Sequence, residues 1–514
     1  MLLAHIHVVG GYYDKAKKED RTKDDESYEN AIPFEKIPGP SKLKLLTSFM
    51  PGGKYYKKDL MEVFALAREE YGDLLYFPGI FGKRDTLLAF NPVDFQKVFR
   101  ADGQWPHRTG FDIIDYYRKE MRSEFYKTTY GLSTEQDESW GRIRSIVNPI
   151  MVHPQAMKVY IPSVDRIANE FIQRIRNIRN PTTNEVPSTF NDEIQYLAME
   201  SVVLVAMDTS LGLLSGLPRS EDAKNFVRAT TDFFTLLYEL DIKPSLWKIV
   251  STPKFRKMIG TQDTIFEICS KYIDKAKKRI NSHNSENSDE KSVLEKLLHI
   301  DKDFATVMAI DLMLAGIDTT SSAFTACLFI LAKNPEKQSL LREELREILP
   351  QKDTPLTKDN MRNLPYLRAC IKEALRLNSV TTLNFRKTGQ NTVLSGYQVP
   401  KGTNVSMVVQ LIQRDETYFP RALEFLPERW LRNPIHKTEC PSAKSTNPFV
   451  YLPFGFGPRM CIGKRFVELE IEVALAKIIR NFHVYHEYPD LIFKTTVLNY
   501  PTGDFRFKFV DLPE

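Results

Sequence analysis

The stretch Phe454-Gly455-Phe456-Gly457-Pro458-Arg459-Met460-Cys461-Ile462-Gly463 sets three glycines, a proline and an arginine around one cysteine, with an amphipathic helical pattern following at once. Glycine and proline at this density demand a tight loop with unusual backbone angles. A cysteine at the start of a helix sees the positive end of the peptide dipoles and free N–H groups, which favours thiolate, and thiolate is the reactive and metal-ligating form. A lone cysteine beside a glycine turn is more often an inert buried thiol; the complete pattern F-x-x-G-x-R-x-C-x-G weighs against that reading. Upstream, Ala315-Gly316-Ile317-Asp318-Thr319-Thr320 places an acid and two hydroxyls inside a long apolar run. Such groups are costly in an apolar setting unless partnered. Threonine hydroxyls bond back to the carbonyl one turn earlier, and Gly316 is expected to leave room beside the backbone for small molecules. Glu373-Ala374-Leu375-Arg376 puts an acid and a base three apart on one helix face, by itself an ordinary surface pair.

With these residues together, the chain resembles the cytochrome P450 family, in order and spacing, from about residue 37 to the end. The resemblance implies haem b with Cys461 as axial thiolate, a ligand that pushes electron density onto the iron and promotes O–O cleavage. It assigns Thr319 and Asp318 to catalysis, Thr319 beside the bound oxygen and Asp318 in proton delivery. Phe454, Gly455 and Gly463 cradle the cofactor, and Trp140, Arg144, Arg386 and Arg459 hold its propionates, a task suited to the bidentate guanidinium fork. Arg429, from Phe425-Leu426-Pro427-Glu428-Arg429-Trp430, joins Glu373 and Arg376 in a buried network bracing the cysteine loop. The substrate pocket is implied near Phe111, Phe233, Phe234, Ala315, Val380, Leu383 and Tyr500, nearly all apolar or aromatic, which points to a lipophilic small molecule, xenobiotic or steroid-like. The implied reaction is insertion of one atom of O2 into that molecule, with electrons from NADPH through a ferredoxin reductase and a ferredoxin. A haem-thiolate isomerase or dehydratase and a non-catalytic haem-based ligand binder are the alternatives; Asp318-Thr319 speaks for the oxygenase.

Within the family the chain looks most like the mitochondrial, ferredoxin-dependent branch, and among those like insect members, on Pro51-Gly52-Gly53-Lys54-Tyr55-Tyr56, Gln104-Trp105-Pro106-His107-Arg108, Arg414-Asp415-Glu416-Thr417-Tyr418-Phe419-Pro420 and Gly463-Lys464-Arg465 with Glu468 and Glu470. Arg368 and Lys372, one turn apart, match cations with which that branch docks an acidic ferredoxin, and charge complementarity of this kind speeds reversible encounter. One departure stands out: Asn378-Ser379 follow Leu377 where relatives often carry His-Pro. Leu246-Trp247, flanked by Lys243, Lys248, Lys254 and Arg256, reads as an apolar segment with basic edges able to rest on a membrane. The implied place is the matrix side of the mitochondrial inner membrane, with the endoplasmic reticulum membrane as the alternative.

The elements that must carry these groups are mostly helical. Trp140, Ile143, Ile146 and Val147 share a face of a helix that follows Asp137. A long helix is predicted from about Asp303 to Ala332, stopping before Asn334-Pro335, another over Pro365–Leu377, and a last one from near Cys461 to about Asn481. Strands are predicted at 74–77, 86–90 and within 392–409, where Gly396 to Gly402 reads as a hairpin. The fold class is mainly α with small β-sheets (α+β), the P450 fold, with haem buried between the long central helix and the cysteine-loop helix. The expected organisation is a leader over 1–36, disordered or processed, and a single haem domain over 37–514, opened by Ile37-Pro38-Gly39-Pro40. Seven acids and five bases in residues 1–30 fit neither a secretory signal nor a mitochondrial presequence. A net charge of +5, from 71 basic and 66 acidic residues, gives no electrostatic footprint for nucleic acid. Five unpatterned cysteines exclude a disulfide scaffold and suit a reducing compartment. No run approaches the 18 apolar residues of a spanning helix, so peripheral membrane contact is expected.

Overall fold

The computed structural model describes residues 28–513 except 110, 128, 154–156, 217–218, 244, 283–290, 433–441 and 444–445. Most of the expected leader, 1–27, lies outside the described residues. Its remainder is already built into the fold: Ile32 bridges Tyr397, donating to Gly396 O and accepting from Gln398 N, before the expected start of the domain at Ile37. Backbone proximity divides the chain into two compact units.

The first unit comprises 28–109, Leu383–Ile412 and Phe456–Pro458. Helix α1 (Leu60–Tyr71) opens with a reciprocal capping box between Asp59 and Glu62 and stops at Gly72, φ 93°. Strands β1 (Leu74–Phe77) and β2 (Thr86–Ala89) follow, then α2 (Pro92–Arg100), then β3 (Leu383–Lys387), β4 (Thr392–Leu394), β5 (Tyr397–Val399) and β6 (Asn404–Val408). The main sheet runs β1-β2-β6-β3, with β2 and β6 parallel in the register Leu87↔Val405 and the other pairs antiparallel. The β4–β5 hairpin turns on Ser395 and Gly396, both at positive φ, at the start of the expected Gly396–Gly402 segment rather than within it. That pair of left-handed residues twists with the strands, and the buried Asp94 of α2 accepts from Ser395 N at 2.9 Å to hold the turn.

The second unit comprises the remaining described residues and is mainly helical. Its helices include α3 (Asp137–Met151), α4 (Ile161–Ile178), α5 (Phe190–Met207), α6 (Glu221–Leu237), α7 (Pro253–Ser282), α8 (Lys302–Lys333), α9 (Pro365–Leu377) and α10 (Lys464–Asn481). Two small ribbons, β7 (Phe482–Tyr485) with β10 (Lys508–Asp511) and β8 (Ile492–Thr495) with β9 (Asn499–Thr502), complete it. Helix α8 begins where Asp301 accepts from Phe304 N at 2.8 Å and ends at Asn334-Pro335, within a residue of the expected bounds. It is apolar on most faces because most of it is buried. By length and composition it is the one described helix able to cross a membrane, but 78% of its apolar window is buried inside the protein, as suits a core helix. Its tightest neighbour is α5: a Cβ on Gly316 would lie 2.6 Å from Cγ2 of Val202. Gly316 therefore serves helix contact, where the sequence suggested space for small molecules. On α3, Trp140, Ile143 and Val147 are buried as expected, whereas Ile146 faces out at 41% exposure.

Candidate active site

Cys461 lies two residues before Gly463, the N-cap of α10. Its backbone N–H donates to Phe454 O at 2.9 Å, and Gly455 N to Leu452 O at 3.0 Å, closing the loop in successive turns. Gly455 and Gly457 sit at φ 71° and 74°, a region other residues enter only with strain. Cys461 is exposed, whereas the described cysteines Cys269, Cys327 and Cys370 are buried and burial pushes each of their thiols upward. The loop thus presents a cysteine whose setting differs from all three inert ones.

Two arginines tie the loop to α3. Arg144 donates to Met460 O at 2.9 Å; Arg459 donates to Gln136 Oε1 at 2.8 Å and to Glu135 O at 3.1 Å. Both guanidiniums lie over the Trp140 ring, Arg459 at 3.9 Å and Arg144 at 5.9 Å from its centroid. Trp140, Arg144 and Arg459 are thereby brought together, all three buried. Arg386, in the first unit, is buried with Nε on Asp102 at 2.7 Å and Nη2 on Phe456 O at 3.0 Å.

On α8, Thr319 Oγ1 donates to Ala315 O at 2.6 Å, the back-bond expected from sequence. Ala315 is exposed and Leu312, Gly316 and Thr319 half-buried, while the other residues from Phe304 to Phe329 are buried, so an accessible stripe runs along one side. Asp318 points the other way, into the protein. Its carboxyl accepts from Gln195 Nε2 of α5 at 3.3 Å and from the Tyr500 hydroxyl of β9 at 3.4 Å. Burial, against these two donors, pushes it up to about 7. Tyr500, expected in the substrate pocket, spends its hydroxyl on this carboxyl, and neither Gln195 nor that contact was visible in the sequence.

Glu373 accepts from Arg376 (2.8 and 2.9 Å), from Arg429 Nε (2.8 Å), from Trp430 Nε1 (2.8 Å) and from Leu426 N (3.2 Å). Arg376 also donates to the carbonyls of Gln413, Ala422 and Glu424, and Arg429 to those of Pro420 and Arg421. The triad is fully paired, as a buried charge cluster must be, and the segment it holds directly is 413–430.

Of the remaining expected residues, Phe233 and Phe234 are buried edge to face at 5.3 Å on α6. Phe111 precedes a short helix at 112–116, Val380 O accepts from Asn499 N at 2.9 Å, and Leu383 starts β3. Arg368 and Lys372 are one turn apart on α9, but only Lys372 is exposed; Arg368 forks onto Glu472 at 2.8 and 3.1 Å. Glu470, grouped from sequence with the surface charges, is buried, and burial holds its carboxyl well above the usual range. Trp247 is buried too, donating to Leu240 O at 3.1 Å, while Leu246, Ile249 and Val250 are exposed. The flanking Lys243 and Lys254 pair with Glu239, and Lys248 with Asp112.

The family model for cytochrome P450 matches residues 38–509. The chain belongs to the cytochrome P450 family. It is 44% identical to cytochrome P450 CYP12A2 of Musca domestica over 94% of this chain and 92% of that one. It is likewise 44% identical to the probable cytochrome P450 12a5, mitochondrial, of Drosophila melanogaster, over 96% and 93%. In structure it resembles the cytochrome P450DA haem domain (TM-score 0.73, 20% identity, 94% and 98% covered) and the cytochrome P450 CYP102L1 (TM-score 0.74, 19%, 94% and 100%), which bears out the fold. As a cytochrome P450 the protein is a monooxygenase using haem iron with a cysteine thiolate ligand. The donor set suits that group: one exposed cysteine at a glycine loop, two buried guanidiniums on Trp140 for carboxylates, and an accessible small-residue stripe on α8.

Proposed function

We propose that Cys461 is the thiolate ligand and that this cytochrome P450 oxidises lipophilic small molecules in the mitochondrion with electrons from NADPH through ferredoxin reductase and ferredoxin. The observation that carries the reading is the Cys461 loop: the one exposed cysteine among the described residues stands before a helix N-terminus, in a loop closed by its own N–H and pinned by Arg144. When bound, haem supplies the redox chemistry that activates dioxygen. One oxygen atom enters a substrate C–H bond; the other leaves as water, taking two electrons and two protons. The chain's own residues manage the rest. Arg144, Arg459 and Trp140 hold the propionates, with Arg386 assigned to them by resemblance alone. Thr319, its hydroxyl hydrogen committed to Ala315 O, offers its oxygen lone pairs on the accessible side of α8. The Asp318 carboxyl, near neutrality, holds and releases the proton.

The mitochondrial and ferredoxin assignments rest on the relatives, several of which are named as mitochondrial, and on exposed Lys372; Arg368 is committed to Glu472. The family model's span supports a single haem domain. Substrate class rests on the types at Phe111, Phe233, Phe234, Ala315 and Val380. Peripheral contact with a membrane, on the matrix side of the inner membrane, is supported by exposed Leu246, Ile249 and Val250. The deciding experiment is the reduced CO complex of the haem-loaded protein. It must show the red-shifted thiolate band, and Cys461→Ser must lose it; a band that survives in the variant sinks the ligand assignment. Spin-state titration with sterol and foreign-compound panels then separates a hormone enzyme (one tight sterol) from a broad oxidase (many weak ligands).

A further inference from the structure

We propose that Tyr500 and Gln195 are positioning residues for the Asp318 carboxyl, clamping it from two other elements so that it serves as the proton-carrying group beside Thr319. The inference rests on the monooxygenase reading above and deepens it.

Three secondary elements converge on one carboxyl. Asp318 comes from α8, Gln195 from α5 and Tyr500 from β9, and each donor addresses a different oxygen: Gln195 Nε2 meets Oδ1 at 3.3 Å and the Tyr500 hydroxyl meets Oδ2 at 3.4 Å. A carboxyl held at both oxygens has one orientation. The strand that delivers Tyr500 is itself anchored. Asn499, its neighbour, donates from its backbone N to Val380 O at 2.9 Å and from Nδ2 to Ser379 O at 3.1 Å. The anchor is therefore the backbone of the turn after α9.

The electrostatics give the clamp its purpose. Burial raises the proton affinity of Asp318 and the two donors lower it. The buried acids on the packed helices face elsewhere. Glu200 of α5 accepts from the backbone N–H groups of Leu211, Gly212 and Leu213, Glu470 of α10 faces Ser201, and Glu373 of α9 is saturated by Arg376 and Arg429. Burial alone would keep the proton bound at neutral pH; the donors bring the group to about 7, where an acid both holds and releases a proton. Tyr500 itself is pushed well above its ordinary range by burial and by the neighbouring carboxyl, so it stays protonated and acts only as a donor.

The test is a pH titration of the protonated-carboxyl infrared band in the resting, haem-loaded protein, identified by its loss in Asp318→Asn. Removing a donor to the carboxylate raises proton affinity, so Tyr500→Phe and Gln195→Leu should each move the midpoint upward by about half a unit or more. Spectral binding of phenylimidazole should be unchanged in Tyr500→Phe. A midpoint that stays with the parent in both variants overturns the proposal. So does weakened phenylimidazole binding in Tyr500→Phe with an unmoved midpoint, which makes Tyr500 a pocket wall. Because the band is read without turnover, a shifted midpoint in a protein lacking the thiolate CO band would leave the clamp standing and the oxygenase reading fallen.

Discussion

Replacing Gly316 by alanine tests whether the glycine exists for the α8–α5 contact. Two opposed effects act. Alanine in a helix interior is favoured over glycine by about 1 kcal/mol. The added Cβ, however, would sit 2.6 Å from Cγ2 and 3.3 Å from Cγ1 of Val202, a buried, β-branched side chain with little freedom to move aside. Overpacking of this kind costs about 2 kcal/mol, so Gly316→Ala should lose about 1 kcal/mol net. Val202→Ala removes the two clashing methyl groups and should lose about 1.6 kcal/mol at about 0.8 kcal/mol per group. In the double variant the new methyl occupies the vacated space. Its stability should return to within about 1 kcal/mol of the parent, a favourable coupling of about 2 kcal/mol. The measurement is the guanidinium unfolding midpoint of the four proteins, followed by tryptophan fluorescence. Strict additivity, or a single Gly316→Ala variant more stable than the parent, would refute the packing explanation and return Gly316 to the role of clearing space on the accessible stripe.

Three further outcomes follow from the buried charges. Glu373→Gln leaves Arg376 and Arg429 without their carboxylate and should lose about 3–5 kcal/mol in chemical unfolding; an unchanged midpoint would mean the triad is neutral in this fold. Arg118, buried, pairs with Asp311 of α8 at 2.7 Å. Arg118→Met should lose a similar amount, and Arg118→Met with Asp311→Leu should recover much of it, read the same way. For Asp318 the folded proton affinity is raised from 3.8 to about 7. As pH rises the unfolded chain releases this proton first, so stability falls between about pH 4 and 7. Asp318→Asn lacks that penalty and should be the more stable protein above pH 7, by on the order of 4 kcal/mol at 1.36 kcal/mol per unit. The gap should close toward pH 4; a pH-independent difference would contradict the assignment.

What the sequence made legible was local. The bounds of α8 and α9, strands β1 and β2, the glycine loop and the Thr319 back-bond each follow from residues within a few positions of one another. What it hid was partnership across the chain. Nothing near Asp318 announces Gln195, 123 positions earlier, or Tyr500, 182 later. Gly316 looked like space because Val202 was invisible. Arg368 looked like a free cation because Glu472, 104 residues on, was not yet opposite it. Trp247 belongs to a segment that reads as able to rest on a membrane, yet its own indole N–H satisfies Leu240 O inside the protein. The hairpin error has a simpler cause: Gly396 and Gly402 both permit a turn, and the choice was made by Asp94 holding Ser395.

The parallel pairing of β2 with β6 has a consequence for biosynthesis. Thr86 and Ser406, whose hydroxyls lie 3.0 Å apart across that pairing, are 320 residues apart in the chain. At about 5–20 residues per second a ribosome needs roughly 16–64 seconds to make that stretch. Throughout, β2 has its β1 partner on one edge and an open row of backbone donors and acceptors on the other, the kind of edge that recruits foreign strands. The amino-terminal sheet therefore stays unfinished until β6 at Asn404–Val408 has been made, and a nascent chain halted between β2 and β6 carries an open strand edge.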